Sequence, residues 1–189
     1  MVRAFLPDPI APAQLERVVR PATRAPSAGH AQGVTLVVAS DKAATAHYWD
    51  TTLPAARRAA FPWPGLLLAP VLVIVSVDPT AYVARYTEAD KAETGLGLGV
   101  AAWPQPMWFV DGGMVAMALL YGATAEGLGA CFFGVFEHEA AVREAFGVPP
   151  HVRLVGTVAV GHPDVERDHP SRSAGRPRRD DVVRFGGWG

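Results

Sequence analysis

The sequence predicts a single domain that contains both helices and strands. Three short runs rich in valine, isoleucine and leucine, at residues 34–39, 72–77 and 154–160, are typical of strands. Segments with apolar residues at helical spacing separate these runs, and the longest covers residues 109–128. A chain of 189 residues is long enough for one sizeable core, and it shows no internal repeat or linker. We therefore expect one domain over residues 1–189.

Local signals place the elements of the first third of the chain. Pro12 suits the first turn of a helix, and Pro21 should kink or end that helix because it lacks an amide hydrogen. Asp41 is placed to cap a second helix through its carboxylate. The expected elements are a helix over residues 12–24, a strand over 34–39, a helix from Asp41 toward His47, and a turn-rich loop over 61–65.

Glycines shape the expectations for the rest of the chain. Residues 95–99, GLGLG, lack the third-glycine spacing of a dinucleotide fingerprint and predict a flexible loop. Gly112, Gly113 and Gly122 weaken the long apolar helix but permit close contact, as at a subunit interface. The other expected elements are a buried central strand over 72–77, helices over 82–93, 109–128 and 137–146, strands over 130–133 and 154–160, and a tail over about 164–189.

Composition excludes several classes of function. The net charge of −1 gives no reason to expect a nucleic-acid or membrane surface, and the apolar runs are too short or too interrupted to span a bilayer. The single cysteine, Cys131, allows no intramolecular disulfide, and the first ten residues do not resemble a signal peptide. We expect a cytoplasmic protein. The histidines are scattered rather than spaced as metal ligands, so no metal site is predicted.

The most informative segment is residues 25–33, APSAGHAQG, which we call the APS loop. Pro26 fixes a turn, and the two glycines allow a close approach of the backbone. Ser27, His30 and Gln32 then present hydrogen-bonding groups on that turn. Such a loop suits a planar, polar heterocycle, although an ordinary helix-to-strand connector has the same composition.

Together with residues 107–136, MWFVDGGMVAMALLYGATAEGLGACFFGVF, the APS loop resembles the FMN-dependent nitroreductase family. That family has an A-P-S-x-x-N-x-Q loop after its first long helix, and an apolar central helix that ends in a G-L-G turn before a short strand. The resemblance continues through residues 146–149, 155–163 and 175–179 and covers most of the chain. It implies an α+β fold, with a central, mostly antiparallel sheet flanked by helices, and a homodimer that binds FMN at its interface.

The resemblance also implies which residues bind FMN. Arg3 matches the last arginine of an N-terminal phosphate motif, R-R-S/T-x-R-x-F, although a solvated terminal arginine is the alternative. We expect the chain as given to be short at its N-terminus, because Met1 falls where the rest of this motif should be. Near the C-terminus Arg176 and Arg178 match a basic pair that reaches the phosphate, with Arg179 as a close competitor and a merely solvated tail as the alternative.

The flavin contacts carried over from the family lie in two segments, and both depart from its pattern. His30 stands where the family usually has asparagine, and Gly134–Val135 replace a frequent Glu-Gly pair. A backbone N–H can still face flavin N5 there, whereas a plain core strand is the alternative for Phe133. The implied contacts are Pro26, Ser27, Ala28, His30 and Gln32 in the APS loop, and Phe132, Phe133 and Gly134 after the G-L-G turn.

The activity implied by the resemblance is that of an NAD(P)H oxidoreductase with ping-pong hydride transfer. Its acceptor would be an electron-poor molecule such as a nitroaromatic, a quinone or an enone, and no catalytic acid or base is implied. Trp49, Trp103 and Trp108 are candidates for the walls of the acceptor pocket, or else core residues. The alternatives are an FMN-binding store or sensor without turnover, and a different flavin chemistry such as oxidative dehydrogenation or flavin cleavage.

Overall fold

The computed structural model of the chain describes residues 1–169, 175–177, 179–180 and 182–188. Its centre is a sheet of four strands in the spatial order β1-β2-β4-β3, and every pairing between them is antiparallel. All residues of β2 are buried, as expected of a continuous aliphatic run in a central strand. The strands are β1 (Val34–Ala39), β2 (Val71–Val77), β3 (Gly129–Phe133) and β4 (Arg153–Gly161).

In the part of the chain that the structure describes, six α-helices surround this sheet. Asp41 caps the second helix by accepting a hydrogen bond from Ala44 N, and the first helix ends one residue after Pro21, both as predicted. The helices are α1 (Pro12–Ala22), α2 (Lys42–Thr52), α3 (Ala55–Arg58), α4 (Pro79–Arg85), α5 (Met107–Ala125) and α6 (Glu139–Ala145). Short 3-10 turns span Ala28–His30, Pro64–Leu68, Ala92–Thr94, Leu96–Leu98, Val100–Ala102 and Phe136–His138.

The sheet separates two hydrophobic cores. On β2, Val71, Val73 and Val75 face one core, whereas Leu72 and Ile74 face the other, because side chains alternate along a strand. The first core is completed by α1 and α5, and the second by α2 and α6. The α+β fold with an antiparallel sheet between helices is therefore as predicted.

Close packing accounts for two of the three α5 glycines. A methyl group at Gly112 would lie 2.5 Å from Val155, and one at Gly122 would lie 3.1 Å from the backbone of Val18 in α1. By length and hydropathy, α5 is the one helix among the described residues that could cross a membrane, yet Val115 and Leu119 are buried in the first core. The same composition is expected of a core helix.

Residues 78–106 are more ordered than predicted. The helix expected over 82–93 instead spans Pro79–Arg85, because Asp78 caps it through Thr80 N and Pro79 takes its first position. The loop expected over 95–99 contains a 3-10 turn, whose Leu96 carbonyl accepts a hydrogen bond from Trp103 Nε1 at 3.1 Å. This segment packs against the APS loop and is part of the domain core.

The N-terminal segment is held between β3 and the start of the tail. Val2 N donates to Ala130 O at 3.0 Å, and Asp164 N donates to Ala4 O at 3.0 Å. Phe5 is fully buried in the second core. The tail expected from about residue 164 therefore packs on the domain at its start, since Asp164 and Asp168 both bond to the N-terminal segment.

Candidate functional site

A cavity of about 310 Å³ lies on the α2 side of the sheet. It is lined mainly by aromatic and aliphatic side chains, so we call it the aromatic cavity. The N-terminal segment contributes Arg3 to its lining, and the residues that end β3 form a wall. Four of the predicted flavin contacts therefore line one space, namely Arg3, Phe132, Phe133 and Gly134.

The walls of the aromatic cavity are set by ring packing. Trp49 of α2 stacks on Phe133, with ring centroids 5.8 Å apart and an interplanar angle of 17°. Trp49 is only 6% exposed, and its Nε1 has no hydrogen-bond partner among the described residues. The Tyr48 hydroxyl bonds to Thr157 Oγ1 at 2.9 Å, and burial raises the pKa of Tyr48 to about 12. Tyr48 is therefore uncharged at neutral pH.

Arg3 adds a positive charge to the lining of the aromatic cavity. Its guanidinium carbon lies 5.8 Å from the centre of the Trp63 ring, a distance suited to a cation–π contact. Its backbone N–H donates to the Asp168 carboxylate at 2.7 Å. Burial raises the pKa of the nearby Cys131 thiol, although the Arg3 charge opposes the shift. At neutral pH the thiol is therefore protonated and weakly nucleophilic.

Gly134, which stands at the first position of the family's Glu-Gly pair, lies against the ring of Phe136. A side chain at Gly134 would place its Cβ 2.7 Å from the ring of Phe136, so a glutamate there would require this ring to move. Phe136 is 81% exposed and has a φ of 44°, which is rare for a large side chain. The Phe136 ring thus occupies the space beside the backbone that the family's glutamate would need.

The APS loop lines a second, separate pocket of about 330 Å³. Its walls include Pro26, Ser27, His30 and Gln32, all of them predicted contacts, and they are more polar than those of the aromatic cavity. His30 Nε2 and Gln32 Nε2 lie 2.9 Å apart. The side chain of Arg24, which the sequence analysis did not select, adds a cation to the same pocket.

The backbone of the APS loop is held in an uncommon conformation. Gly29, His30 and Gln32 have φ angles of 59°, 61° and 52°, in the left-handed region. Ser27 Oγ accepts a hydrogen bond from Gln32 N at 3.0 Å within the loop. From α4, Arg85 Nε donates to Gly29 O at 2.7 Å. A non-hydrogen side chain at Gly29 would also lie 2.7 Å from the Tyr86 ring, so glycine is required twice over.

A buried carboxylate connects the APS loop to α5. Asp111 is 1% exposed, and its Oδ2 accepts hydrogen bonds from Ala28 N at 2.8 Å and from the Tyr82 hydroxyl at 2.7 Å. Burial, and then the bond to Asp111, raise the pKa of Tyr82, so this hydroxyl stays protonated and donates. The Ala28 amide thus bonds to a buried side chain of α5. Ala28 does not line the APS-loop pocket, whereas Ser27 and His30 do.

Some predicted residues lie elsewhere. Trp103 and Trp108 pack with Tyr82 in a third buried cluster, so only Trp49 of the three tryptophans lines the aromatic cavity. Arg176 is exposed, and Arg178 lies outside the described residues. Sequence reasoning did not select several cavity residues, because they come from distant segments and belong to no motif. These are Tyr48, Thr52, Leu53, Phe61, Trp63, Leu66 and His138.

Comparison with known proteins places this fold and these motifs in one family. The family model described as the nitroreductase family matches residues 1–162. A relative from Archaeoglobus fulgidus, provisionally named NADH dehydrogenase/NAD(P)H nitroreductase, is 24% identical over 175 residues, which are 88% of this chain and 82% of the relative.

Solved structures show the same fold. An FMN-dependent nitroreductase from Clostridium difficile R20291 matches with a TM-score of 0.68 at 17% identity, covering 99% of this chain and 94% of the other. Nitroreductase A from Vibrio parahaemolyticus RIMD 2210633 matches with a TM-score of 0.68 at 21% identity, covering 100% and 72%. With the family model matched over most of its length, the chain belongs to the nitroreductase family and is a flavin-dependent oxidoreductase.

Proposed function

We propose that the chain forms a homodimeric, FMN-dependent NAD(P)H oxidoreductase that reduces a nitroaromatic, a quinone or an enone by ping-pong hydride transfer. The observation that carries this proposal is the division of the predicted flavin contacts between two pockets. The aromatic cavity offers apolar walls and one cation, whereas the APS loop offers polar groups. A flavin needs both, because its tricyclic ring is largely apolar and its edges and phosphate are polar.

The residues of the aromatic cavity fit a flavin phosphate ester. The Arg3 guanidinium can form paired, charge-assisted bonds to a phosphate, while its backbone N–H is already occupied by Asp168. Arg176 and Arg178 of the tail are proposed to add to this charge. Phe132, Phe133 and Gly134 line the same cavity and would hold the flavin ring, and a backbone N–H of this segment would serve its N5.

The surface of α5 supports the proposed dimer. Val110, Met117 and Tyr121 are exposed apolar residues at positions that share one side of this helix. Gly113 lies on the same exposed side, and no atom lies within 4 Å of a methyl group built there, in contrast to Gly112. A second copy packed on this face would bury the apolar surface and could approach closely at Gly113, bringing its APS loop to the aromatic cavity.

When bound, the flavin supplies the hydride chemistry, accepting from the nicotinamide and delivering to the acceptor. The chain's own residues bind, orient and exclude water. The apolar walls around Trp49 and Phe133 keep the space dry. Tyr48 and Cys131 are uncharged at neutral pH. The main charged group in the lining of the cavity is therefore Arg3. NAD(P)H and the acceptor would bind in turn beside the bound flavin.

The direct test is the behaviour of the purified full chain. We expect it to sediment as a dimer, to take up FMN with a visible absorbance band, and to lose this band anaerobically on addition of NADH or NADPH. A quinone should restore the band. A protein that binds FMN but is not bleached by either nicotinamide would be a flavin store or sensor. A monomer that takes up no FMN would overturn the proposal.

Mixed dimers test whether two chains share each site. One chain carries Arg3→Met, and the other carries Ser27→Ala with His30→Ala, with different affinity tags on the two. Each parent dimer should bind FMN weakly at both sites. The mixed dimer contains one intact site, so it should bind one FMN with the affinity of the unaltered protein. If the mixed dimer binds no better than its parents, both groups of residues act within one chain.

A further inference from the structure

We propose that Asp111 is the positioning residue for the flavin-facing APS loop, acting through its hydrogen bond to the Ala28 amide. This inference rests on the proposed function, since it assigns the support of one half of that site. Asp111 lies on α5 within the segment that resembles the family, but it lines neither pocket and is not among the flavin contacts that the resemblance implies. Its effect would reach the flavin only through the backbone of the loop.

The first argument is that Asp111 is poorly suited to a purely structural role. It stands among Trp108, Gly112 and Val115 on the buried side of an apolar helix. Burying a carboxylate is costly unless its oxygens are well bonded, yet Oδ1 has no partner among the described residues. A leucine or methionine would fill such a position at lower cost. The carboxylate is therefore best explained by what Oδ2 binds.

The second argument is the conformation of the loop that Oδ2 binds. Three residues between 29 and 32 have positive φ, and two of them, His30 and Gln32, carry side chains. Such residues persist only where surrounding contacts hold them. Asp111 fixes the amide directly after Ser27, and Arg85 fixes the carbonyl of Gly29. Together they hold the turn that directs the Ser27 and His30 side chains into their pocket.

The third argument is that Asp111 is itself oriented. The Tyr82 hydroxyl donates to the same Oδ2 at 2.7 Å and stays protonated at neutral pH. The Tyr82 ring also packs under the other end of the loop, because a methyl group at Gly33 would lie 2.5 Å from it. Tyr82 thus contacts both Asp111 and the loop end, and fixes the carboxylate relative to the loop.

The test compares Asp111→Ala with Asp111→Asn and with a matched core variant, Leu119→Ala. Leu119 is fully buried on the same helix and does not line either pocket, so its truncation reports destabilisation of α5 alone. Two readouts are used on the full chain. Hydrogen exchange of the FMN-free protein measures protection of the Ala28 amide, and titration with FMN measures the dissociation constant.

In Asp111→Ala we expect the Ala28 amide to exchange at least about tenfold faster and the FMN dissociation constant to rise about tenfold, the effect of one lost hydrogen bond of ordinary strength. Asp111→Asn keeps an acceptor oxygen and should restore most of both. Leu119→Ala should lower the melting temperature without either local effect. Adding Ser27→Ala and His30→Ala to Asp111→Ala should cause little further loss of FMN affinity, because the contacts that Asp111 positions are already absent.

Either of two results would overturn the inference. In one, Ala28 exchange is unchanged in Asp111→Ala; in the other, Leu119→Ala and Asp111→Ala weaken FMN alike. If the unaltered protein takes up no FMN at all, the proposed function fails, but the exchange of Ala28 still decides whether Asp111 holds the loop. The two failures are therefore distinguishable.

Discussion

The aromatic cavity and the APS loop, which we propose as two halves of one site, are built by opposite means. The cavity takes its shape from side-chain packing, with the Trp49 and Phe133 rings stacked and few polar contacts. The loop takes its shape from its backbone, which hydrogen bonds to Asp111 and Arg85 hold in a left-handed conformation. The cavity wall should lose stability when side-chain volume is removed from it. The loop should lose stability when one hydrogen-bond partner or one glycine is replaced.

The largest effect on stability is expected in the aromatic cavity. Trp49→Ala removes a buried ring and should lower the free energy of unfolding by about 3–5 kcal/mol. Trp49→Phe keeps a ring and loses no hydrogen bond, because Nε1 has no partner among the described residues, so its cost should stay below about 1.5 kcal/mol. Urea unfolding measures both. An equal loss of unfolding free energy in the two variants would mean that the indole Nε1–H, and not the volume of the ring, stabilises the cavity wall.

The next largest effect on stability is expected in the APS loop. Gly29→Ala combines a positive φ with a Cβ placed 2.7 Å from the Tyr86 ring, and should cost about 2–4 kcal/mol. Gly95→Ala is the matched control, since its φ of 73° is similar but no atom lies within 4 Å of the added methyl group. It should cost about 1–2 kcal/mol. The same loss in both variants would show that the Tyr86 ring does not support the loop.

The positive charge of Arg3 in the aromatic cavity should matter more for FMN binding than for folding. Arg3→Met keeps an unbranched side chain but removes the guanidinium that lies over Trp63, so FMN binding should weaken by about 1.5–3 kcal/mol, or roughly ten- to a hundredfold. Arg20→Met, on the exposed surface of α1, is the control and should leave FMN affinity unchanged. Fluorescence titration measures the FMN dissociation constant of both variants. An unchanged affinity in Arg3→Met would mean that other residues bind the phosphate.

The smallest effect is expected where α6 joins β4, beside cavity residue His138. Glu139 accepts bonds from Arg153 and from Leu154 N, and the Arg153 side chain lowers the pKa of Glu139 below its usual 4.5. The folded-state pKa is the lower one, so this contribution is present above pH 4.5 and is lost as the pH falls through the folded-state value.

Glu139→Gln should therefore lower stability by about 1 kcal/mol at pH 7 and have little effect in acid. Glu137→Gln, on a neighbouring exposed side chain, should change the urea midpoint at neither pH. A pH-independent cost of Glu139→Gln would assign the effect to packing and not to the carboxylate charge.

Local rules predicted most of the fold, because its signals are local. Aliphatic runs indicated three of the strands, and Pro21 marked the end of α1. The start of α4 also has a local signal, because an Asp followed by a Pro, here Asp78 and Pro79, is typical of a helix N-terminus. The order in residues 95–99 depends on Trp103 and was not readable from the glycines alone.

The candidate site was less predictable, because its parts meet only in three dimensions. The match to family motifs selected Arg3 and Phe133, and Trp49 was a candidate for the pocket wall, but Tyr48 and Trp63 join them through packing that no spacing reveals. Asp111 had one sequence signal, an acidic residue inside an apolar helix. Its two donors lie 83 and 29 residues away along the chain, which is why its role could not be inferred from its neighbours.

That separation has a kinetic consequence. Until both Ala28 and Tyr82 have arrived, the carboxylate of Asp111 can leave water only at a cost that nothing offsets. Closing a contact across 83 residues is also entropically slow compared with forming α5 itself. We therefore expect the corner formed by α4, α5 and the APS loop to assemble after α5 itself has formed.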